Sequence, residues 1–234
     1  MLEDILCDGF AGLGLPLDAQ ALVRYRRYYE RLSEQNKVMN LTAIDGETDT
    51  AQLHFLDSAA LLTFADFSGK SLIDVGSGAG FPGVALKIAC PSLELTLLDS
   101  LDKRVRFLRD LTEELGLSDV RCLHARAEEA PPELRERFDF AASRAVARLN
   151  LLCELCLPFV KVGGLFLAMK GPGAAEEAAE AEGAITKLGG QLLRIAEYPI
   201  PGTDTRHSLV LIEKQRPTPR QYPRRWAQIK KAPL

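Results

Sequence analysis

Ten residues constrain this chain more than any others. Asp74-Val75-Gly76-Ser77-Gly78-Ala79-Gly80-Phe81-Pro82-Gly83 follows a short apolar run and precedes a helical stretch. Glycines in such a turn permit positive φ and let a ligand approach the backbone, and Pro82 suits a first helical turn, where its missing N–H has no intrahelical partner. A strand, a tight glycine turn and a helix are how an open parallel sheet begins. Ligands of such sheets sit at the carboxyl ends of the strands.

The rest of the chain keeps that rhythm. After Gly69 short apolar runs alternate with helical stretches, the pattern of a parallel sheet covered by helices. Strands are expected at Ser71 to Val75, Glu94 to Leu98, Val120 to His124, Phe138 to Ala142 and Gly164 to Met169. The helices between them are expected at Pro82 to Ala89, Asp102 to Gly116, Glu133 to Arg137 and Leu149 to Val160, with a further one at Ala174 to Leu188. Past Gly189-Gly190 two strands, Gln191 to Tyr198 and His207 to Glu213, are joined by a Pro/Gly turn. Without a crossover helix they must pair antiparallel. The fold class is therefore α/β, a mostly parallel seven-stranded sheet ending in an antiparallel hairpin. Ahead of it, Asp18 is placed to cap an amphipathic helix reaching about Asn36, and Leu53, Leu56, Ala60, Leu61 and Phe64 mark a second one. Residues 1–69 read as a helical cap, 70–213 as the sheet domain and 214–234 as a separate arm.

Charge supports that last division. The 234 residues carry a formal net charge of −3, yet residues 214–234 hold Lys214, Arg216, Arg220, Arg224, Arg225, Lys230 and Lys231 and no acid. The remainder carries 22 Lys and Arg against 32 Asp and Glu. Four prolines and seven cations describe an extended basic arm with affinity for a polyanion. Met1-Leu2-Glu3-Asp4 lacks the basic start and apolar run of a signal peptide, and no run of 18 apolar residues exists, so a cytosolic protein without a membrane partner is expected. Five scattered cysteines fit reduced, mostly buried thiols. Cys153 and Cys156 form a lone CxxC inside an apolar run, without the second pair a metal site would need, and no metal is assigned.

An acidic residue at the end of the second strand is the expected partner of ribose hydroxyls, and Asp99 lies there, 23 positions after Gly76. Both NAD and S-adenosylmethionine present a ribose diol at that point, and Gly78, Gly80 and Gly83 formally match G-x-G-x-x-G. Three features favour S-adenosylmethionine. Asp74 at the loop entrance would repel a pyrophosphate but can answer an ammonium or sulfonium charge. The sheet ends in a hairpin, and its carboxyl edge is left to be roofed by the cap and a separate acceptor.

Taken together, Asn40-Leu41-Thr42-Ala43-Ile44, His54-Phe55-Leu56-Asp57-Ser58, the glycine loop, Asp99-Ser100 with Lys103-Arg104, Arg126-Ala127-Glu128-Glu129, Ser143-Arg144-Ala145 and Tyr222-Pro223-Arg224-Arg225 resemble the bacterial small-subunit rRNA methyltransferase G family, also called glucose-inhibited division protein B. The resemblance spans nearly the whole chain. It implies a Rossmann-like class I methyltransferase fold and transfer of a methyl group from S-adenosylmethionine to N7 of one guanosine of 16S rRNA in the small ribosomal subunit. Carried over, the family's cofactor contacts fall on Gly76, Phe81, Ala127, Glu128 and Arg144, joining Asp74, Gly78, Gly80 and Asp99 from the reading of the loop. RNA contacts are expected from Arg144, Lys170, Arg220, Arg224, Arg225, Lys230 and Lys231, with Arg24, Arg26, Arg27, Arg31, Lys103 and Arg104 as further cations near the site or on the first helix. A monomer is expected.

Guanine N7 attacks with an in-plane lone pair and no proton to lose, so alignment with the sulfonium replaces a general base. No N/D-P-P-Y/F string follows the fourth strand, as exocyclic-amine methylation would favour; Ser143-Arg144-Ala145 stands there. No cysteine is placed for attack on a pyrimidine ring. His54, Asp57 and Ser58 lie on one helix without nucleophile-elbow geometry, so they read as a hydrogen-bonded helix over the site and not as a triad. His124 and His207 read as structural histidines on strands. Three other functions remain: an NAD-dependent oxidoreductase, a non-catalytic ribosome-assembly factor with the same fold, and a small-molecule methyltransferase, which the basic arm disfavours.

Overall fold

A computed structural model describes all of residues 1–234. Seven strands, β1 (Ser71–Val75), β2 (Glu94–Asp99), β3 (Val120–His124), β4 (Phe138–Arg144), β5 (Val160–Lys170), β6 (Gly190–Pro199) and β7 (Arg206–Lys214), form one sheet in the order β3-β2-β1-β4-β5-β7-β6. The pairs among β1 to β5 are parallel, and β7 runs antiparallel to both β5 and β6. The expected hairpin and strand positions therefore hold. The order reverses between β1 and β4, which opens a crevice there, and the glycine loop and Arg144 leave the sheet on its two sides.

Residues alternate across the strands to feed two cores. Leu72, Leu95, Leu97, Leu167, Met169, Leu209 and Leu211 face one side. Ile73, Leu98, Ala141, Phe166, Ala168, Val210 and Ile212 face the other. The first core receives α1 (Leu2–Gly12), which was not expected from sequence, through Leu2, Leu6 and Phe10. It also receives α2 (Ala19–Met39) through Tyr25 and Tyr28, and Asp18 caps that helix with Oδ1 2.6 Å from Ala21 N. The expected second helix is a continuous helical run with a changing pitch: α3 (Glu47–Thr50), a π-helical stretch (Ala51–Leu56), α4 (Asp57–Ala59) and a 3₁₀ turn (Ala60–Thr63). Next come α5 (Gly83–Ala89) and α6 (Asp102–Glu114), which ends just before Gly116 in the left-handed region (φ +61°). The cap thus shares its core with the sheet.

The second core takes α7 (Leu149–Cys156), α8 (Ala174–Glu180) and α9 (Glu182–Lys187). The single helix expected over Ala174 to Leu188 breaks at Ala181. The helix expected over Glu133 to Arg137 is one 3₁₀ turn, Pro132–Leu134, because Glu136 sits in the left-handed region (φ +52°). Cys153 and Cys156 are both fully buried, and burial pushes their thiols up.

The largest departure from the sequence reading is the tail. It is no extended arm. Lys214 ends β7 fully buried, with Nζ donating to Leu157 O (2.6 Å), Val160 O (3.2 Å) and Thr218 Oγ1 (2.7 Å) beside Glu136 (3.3 Å). Arg135 donates to Tyr222 O and Thr218 O, both at 2.7 Å. Arg224 grips the fully buried carboxylate of Glu154 (Nη2 to Oε2 2.6 Å), so it is an anchor and not a free RNA contact. Tyr222 and Ile229 enter the second core, the latter on α10 (Trp226–Lys231). Buried polar groups need partners, and here the chain's own cations and carbonyls serve one another. Arg216 is exposed but donates to Thr186 O (2.7 Å), and Arg220, Arg225, Lys230 and Lys231 are exposed with neither an ion pair nor a side-chain hydrogen bond. The α2 arginines are likewise engaged: Arg24 with Leu115 O, Arg26 with Glu3 and Glu47, and Arg27 and Arg31 with Glu114. No helix is long and apolar enough to cross a membrane.

Candidate methyl-transfer cavity

A cavity of about 1060 Å³ opens at the carboxyl edge over the β1/β4 crevice. Of the residues expected to touch cofactor or RNA, Gly76, Gly78, Phe81, Asp99, Arg144 and Lys170 line it, and so do Thr42, His54, Asp57, Val146 and His207. None of residues 214–234 reaches it. A smaller pocket of about 490 Å³ among Leu15, Phe64, Phe67 and Cys90 contains none of the expected site residues.

The loop's glycines have separate tasks. Gly76, Gly78 and Gly80 all have positive φ (76°, 58° and 105°), and Gly76 N and Ser77 N donate to Leu98 O at 2.8 and 3.2 Å, tying the turn to β2. A Cβ on Gly80 would lie 2.5 Å from Tyr28 Oη, so this glycine admits the cap's tyrosine, whose hydroxyl donates to Ala79 O (2.7 Å). Gly80 belongs to the seam between cap and loop and lies off the cavity lining.

Asp99 stands at the lip. Its Oδ2 accepts from Gly78 N (2.9 Å), its Oδ1 accepts from Leu101 N (2.9 Å), and Arg104 Nη1 lies 3.6 Å away. Each oxygen keeps a further lone pair, the acceptor set a ribose diol requires. A nucleoside cofactor therefore fits between Asp99 and the Gly76–Gly78 backbone. Asp74 does not face the cavity: its carboxyl is turned beneath the loop, where Oδ2 accepts from Gly83 N (2.9 Å), and Oδ1 is buried without a partner. A Cβ at position 83 would meet Asp74 Oδ2 at 2.8 Å. Burial raises the Asp74 pKa to about 7, against the pull of the Gly83 N–H and Arg144. Ala127 and Glu128 form a 3₁₀ turn after β3 and also lie off the lining.

Arg144 organises the floor. Its Nη1 donates to Leu53 O (3.0 Å) and Asp57 Oδ2 (3.2 Å), and its Nη2 donates to His54 Nδ1 (2.7 Å). Its guanidinium carbon lies 4.9 Å from the Phe81 ring centre. Phe81 is stacked between His54 (4.2 Å) and Tyr28 (5.1 Å). The Leu53 carbonyl belongs to the π-helical stretch, a wide turn of the sort that often marks functional sites. On its other oxygen the fully buried Asp57 accepts from Tyr198 Oη (2.8 Å) and His207 Nδ1 (2.9 Å). Ser58 Oγ donates only to His54 O, so no triad forms. Burial and the Arg144 charge hold His54 down to about 3, whereas the Asp57 hydrogen bond raises His207.

Next to Arg144, Ala145 has φ +56°, a conformation costly for a residue with a Cβ, and it sets the half-exposed Val146 against Gly76, where a Cβ would lie 2.6 Å from Cγ2. Lys170 Nζ donates to Ala147 O (2.7 Å) and Glu177 Oε2 (2.8 Å). It steadies this loop, and its charge is matched inside the protein, so it is not a free phosphate contact. The sequence offers His54, Asp57 and His207 only as structural groups and carries no signal for a role of Thr42 or Tyr198. Only the three-residue spacing of His54 and Asp57 signalled the network, since its other members join from β4, β6 and β7.

Comparison with solved structures gives the same architecture. A SAM dependent methyltransferase from Aquifex aeolicus aligns with TM-score 0.52 at 19% identity over 68% of this chain and 90% of its own. The precorrin-6y C5,15-methyltransferase of Geobacter metallireducens aligns with TM-score 0.53 at 13% identity over 68% and 87%. By sequence the likeness is much stronger. The ribosomal RNA small subunit methyltransferase G of Alkaliphilus metalliredigens is 47% identical over 98% of both chains, and that of Lactobacillus johnsonii is 44% identical over the whole of both. The family model for rRNA small subunit methyltransferase G matches residues 22–207, from the cap through the cavity to His207. This chain therefore belongs to the rRNA small subunit methyltransferase G family.

Proposed function

We propose that this protein transfers a methyl group from S-adenosylmethionine to N7 of a guanosine in 16S rRNA. The family makes it an S-adenosylmethionine-dependent rRNA methyltransferase. The choice of N7 rests on one observation: the titratable groups around Arg144, namely His54, Asp57 and His207, are committed within one network. Both nitrogens of His54 are engaged and burial keeps it neutral. Asp57 accepts from three donors, and the carboxylate partner of His207 favours keeping its proton. Such a cavity suits a nucleophile that arrives without a proton to remove.

In this reading Asp99 and the Gly76–Gly78 backbone would hold the cofactor, which would supply a methyl group on a cationic sulfur. The chain's own part is to hold the nucleoside end, to exclude water with the Phe81–His54 stack and Val146, and to align the base. N7 faces the deep groove of an RNA helix, so the acceptor must be splayed or looped. RNA affinity comes from Arg220, Arg225, Lys230 and Lys231.

The test incubates the protein and labelled S-adenosylmethionine with small ribosomal subunits, naked 16S rRNA or small molecules, and maps the label. Label at guanine N7 is expected. Label on an exocyclic amine or a carbon would overturn the base-free mechanism, and rRNA without label would overturn the function.

A further inference from the structure

Thr42 has no role so far, yet its hydrogen bonds leave it a single option. It is supplied by the cap, three residues past the end of α2. There Asn40 closes the helix in the left-handed region (φ +50°), and Asn36 Oδ1 accepts from Thr42 N (2.9 Å). Its hydroxyl lies 2.9 Å from His54 Nε2. A guanidinium can only donate, so the 2.7 Å contact from Arg144 makes His54 Nδ1 an acceptor and puts the ring proton on Nε2. His54 therefore donates to Thr42 Oγ1. Ile44 N donates to the same oxygen at 3.0 Å. Both lone pairs of Oγ1 are then occupied, and no protein group accepts the hydroxyl proton. Thr42 lines the cavity, so its O–H is a donor left available to a ligand there.

The polarity is fixed from far away. Asp57 holds Arg144, Arg144 sets the His54 tautomer, and His54 fills the Thr42 lone pair. A hydroxyl ordinarily accepts or donates as the ligand asks, but this one can only donate. On the edge of a purine that carries N7, guanine presents the acceptor O6 where adenine presents an amino donor. A fixed donor beside the approaching N7 distinguishes the two.

We propose that the Thr42 hydroxyl donates to O6 of the acceptor guanine, placing N7 before the methyl group and selecting guanine over adenine. The inference rests on the N7 reading above. Thr42 comes from the cap and not from the βα units that hold the nucleoside cofactor, which puts it on the acceptor side.

The test is a double-mutant cycle between protein and RNA. Wild type and T42V, which keeps the shape and loses the donor, are assayed on small-subunit rRNA carrying guanine or 2-aminopurine at the methylated position. The analogue keeps N7 and lacks O6. Wild type is expected to lose about tenfold in kcat/KM on the analogue, and T42V about tenfold on guanine rRNA with little further loss on the analogue. Its affinity for S-adenosylmethionine should be unchanged, and T42S should restore the guanine rate. Should T42V fail to fold, T42A enters the same cycle. Losses that multiply independently, or a T42V defect matched by weaker cofactor binding, would overturn the proposal. Guanine rRNA left unmethylated by wild type would overturn the N7 reading as well, which distinguishes the two failures.

Discussion

The cap and the C-terminal strap are both additions to a seven-stranded sheet, on opposite faces of it, and both are fastened by buried ions. On the cap side the hub is Asp57, fully buried and bonded to Arg144, Tyr198 and His207. On the strap side Glu154 takes Arg224, and Lys214 is sunk among carbonyls next to Glu136. Taking charges out of water is costly in either place and is offset only by close pairing. The difference lies in what the pairing faces. The cap's network lines the cavity and directs His54, Thr42 and His207 toward its contents, whereas the strap's anchors meet only the protein and leave four cations outside with no side-chain bond. One device does two jobs, orienting donors in one region and tethering a basic surface in the other.

The largest effect should come from breaking the cap's hub. Asp57→Ala leaves the Arg144 guanidinium buried without its carboxylate and frees His54 to change tautomer. Breaking a buried pair of this kind costs about 3–5 kcal/mol. Denaturant unfolding and single-turnover methyl transfer should both register it, and the rate should fall at saturating cofactor in the protein that remains folded. A variant with full stability and full activity would mean that the hub is no more than a tether, like Glu154.

The contrast was only partly legible in the sequence. The β/α rhythm, the glycine loop and Asp99 could be read because strand period, turn chemistry and helix spacing are local. The hairpin was legible because no helical stretch separates Tyr198 from His207. The strap was misread for a physical reason. Lys214, Arg224 and four prolines look like a solvated basic arm until the acids that match them, Glu136 and Glu154, are brought in from 70 or more residues away. Lys170 was misread in the same way, its partner Glu177 lying on the next helix. Asp74 sits where the loop suggested, but the direction of its side chain depends on the close approach of Gly83, which no spacing reveals. The pitch change over Ala51–Leu56, which brings Leu53 O to Arg144, is invisible to a 3.6-residue period.

The strap offers the second test of the comparison. Removing residues from 215 onward would also remove Thr218, Tyr222 and Ile229 from the core, so deletion mixes stability with binding. Neutralising the four exposed cations that bond to nothing in the protein, R220A/R225A/K230A/K231A, separates them. If each meets one phosphate, the slope of log K against log salt should flatten by about 3, with weaker rRNA binding at low salt. Cofactor affinity and the unfolding midpoint should hold. An unchanged slope would leave the strap a packing element only.

The smallest effect concerns Asp74, a buried carboxyl with neither a hub's cation nor a strap's anchor. Its pKa lies near 7 in the folded chain, against about 4 for an unfolded aspartate. Between those values the folded protein keeps a proton that the unfolded chain has released, so folding stability falls as pH rises and the loss is complete only above pH 7. From pH 6 to pH 7.5 wild type should lose about 1 kcal/mol relative to D74N, whose amide has no proton to release. The measurement is the difference between their unfolding free energies across that range. Parallel curves would show that Asp74 is already ionised at pH 6. A fully buried carboxylate held in that state requires a cation as surely as Asp57 requires Arg144, and the distinction between paired and unpaired buried charge would then disappear at the glycine loop.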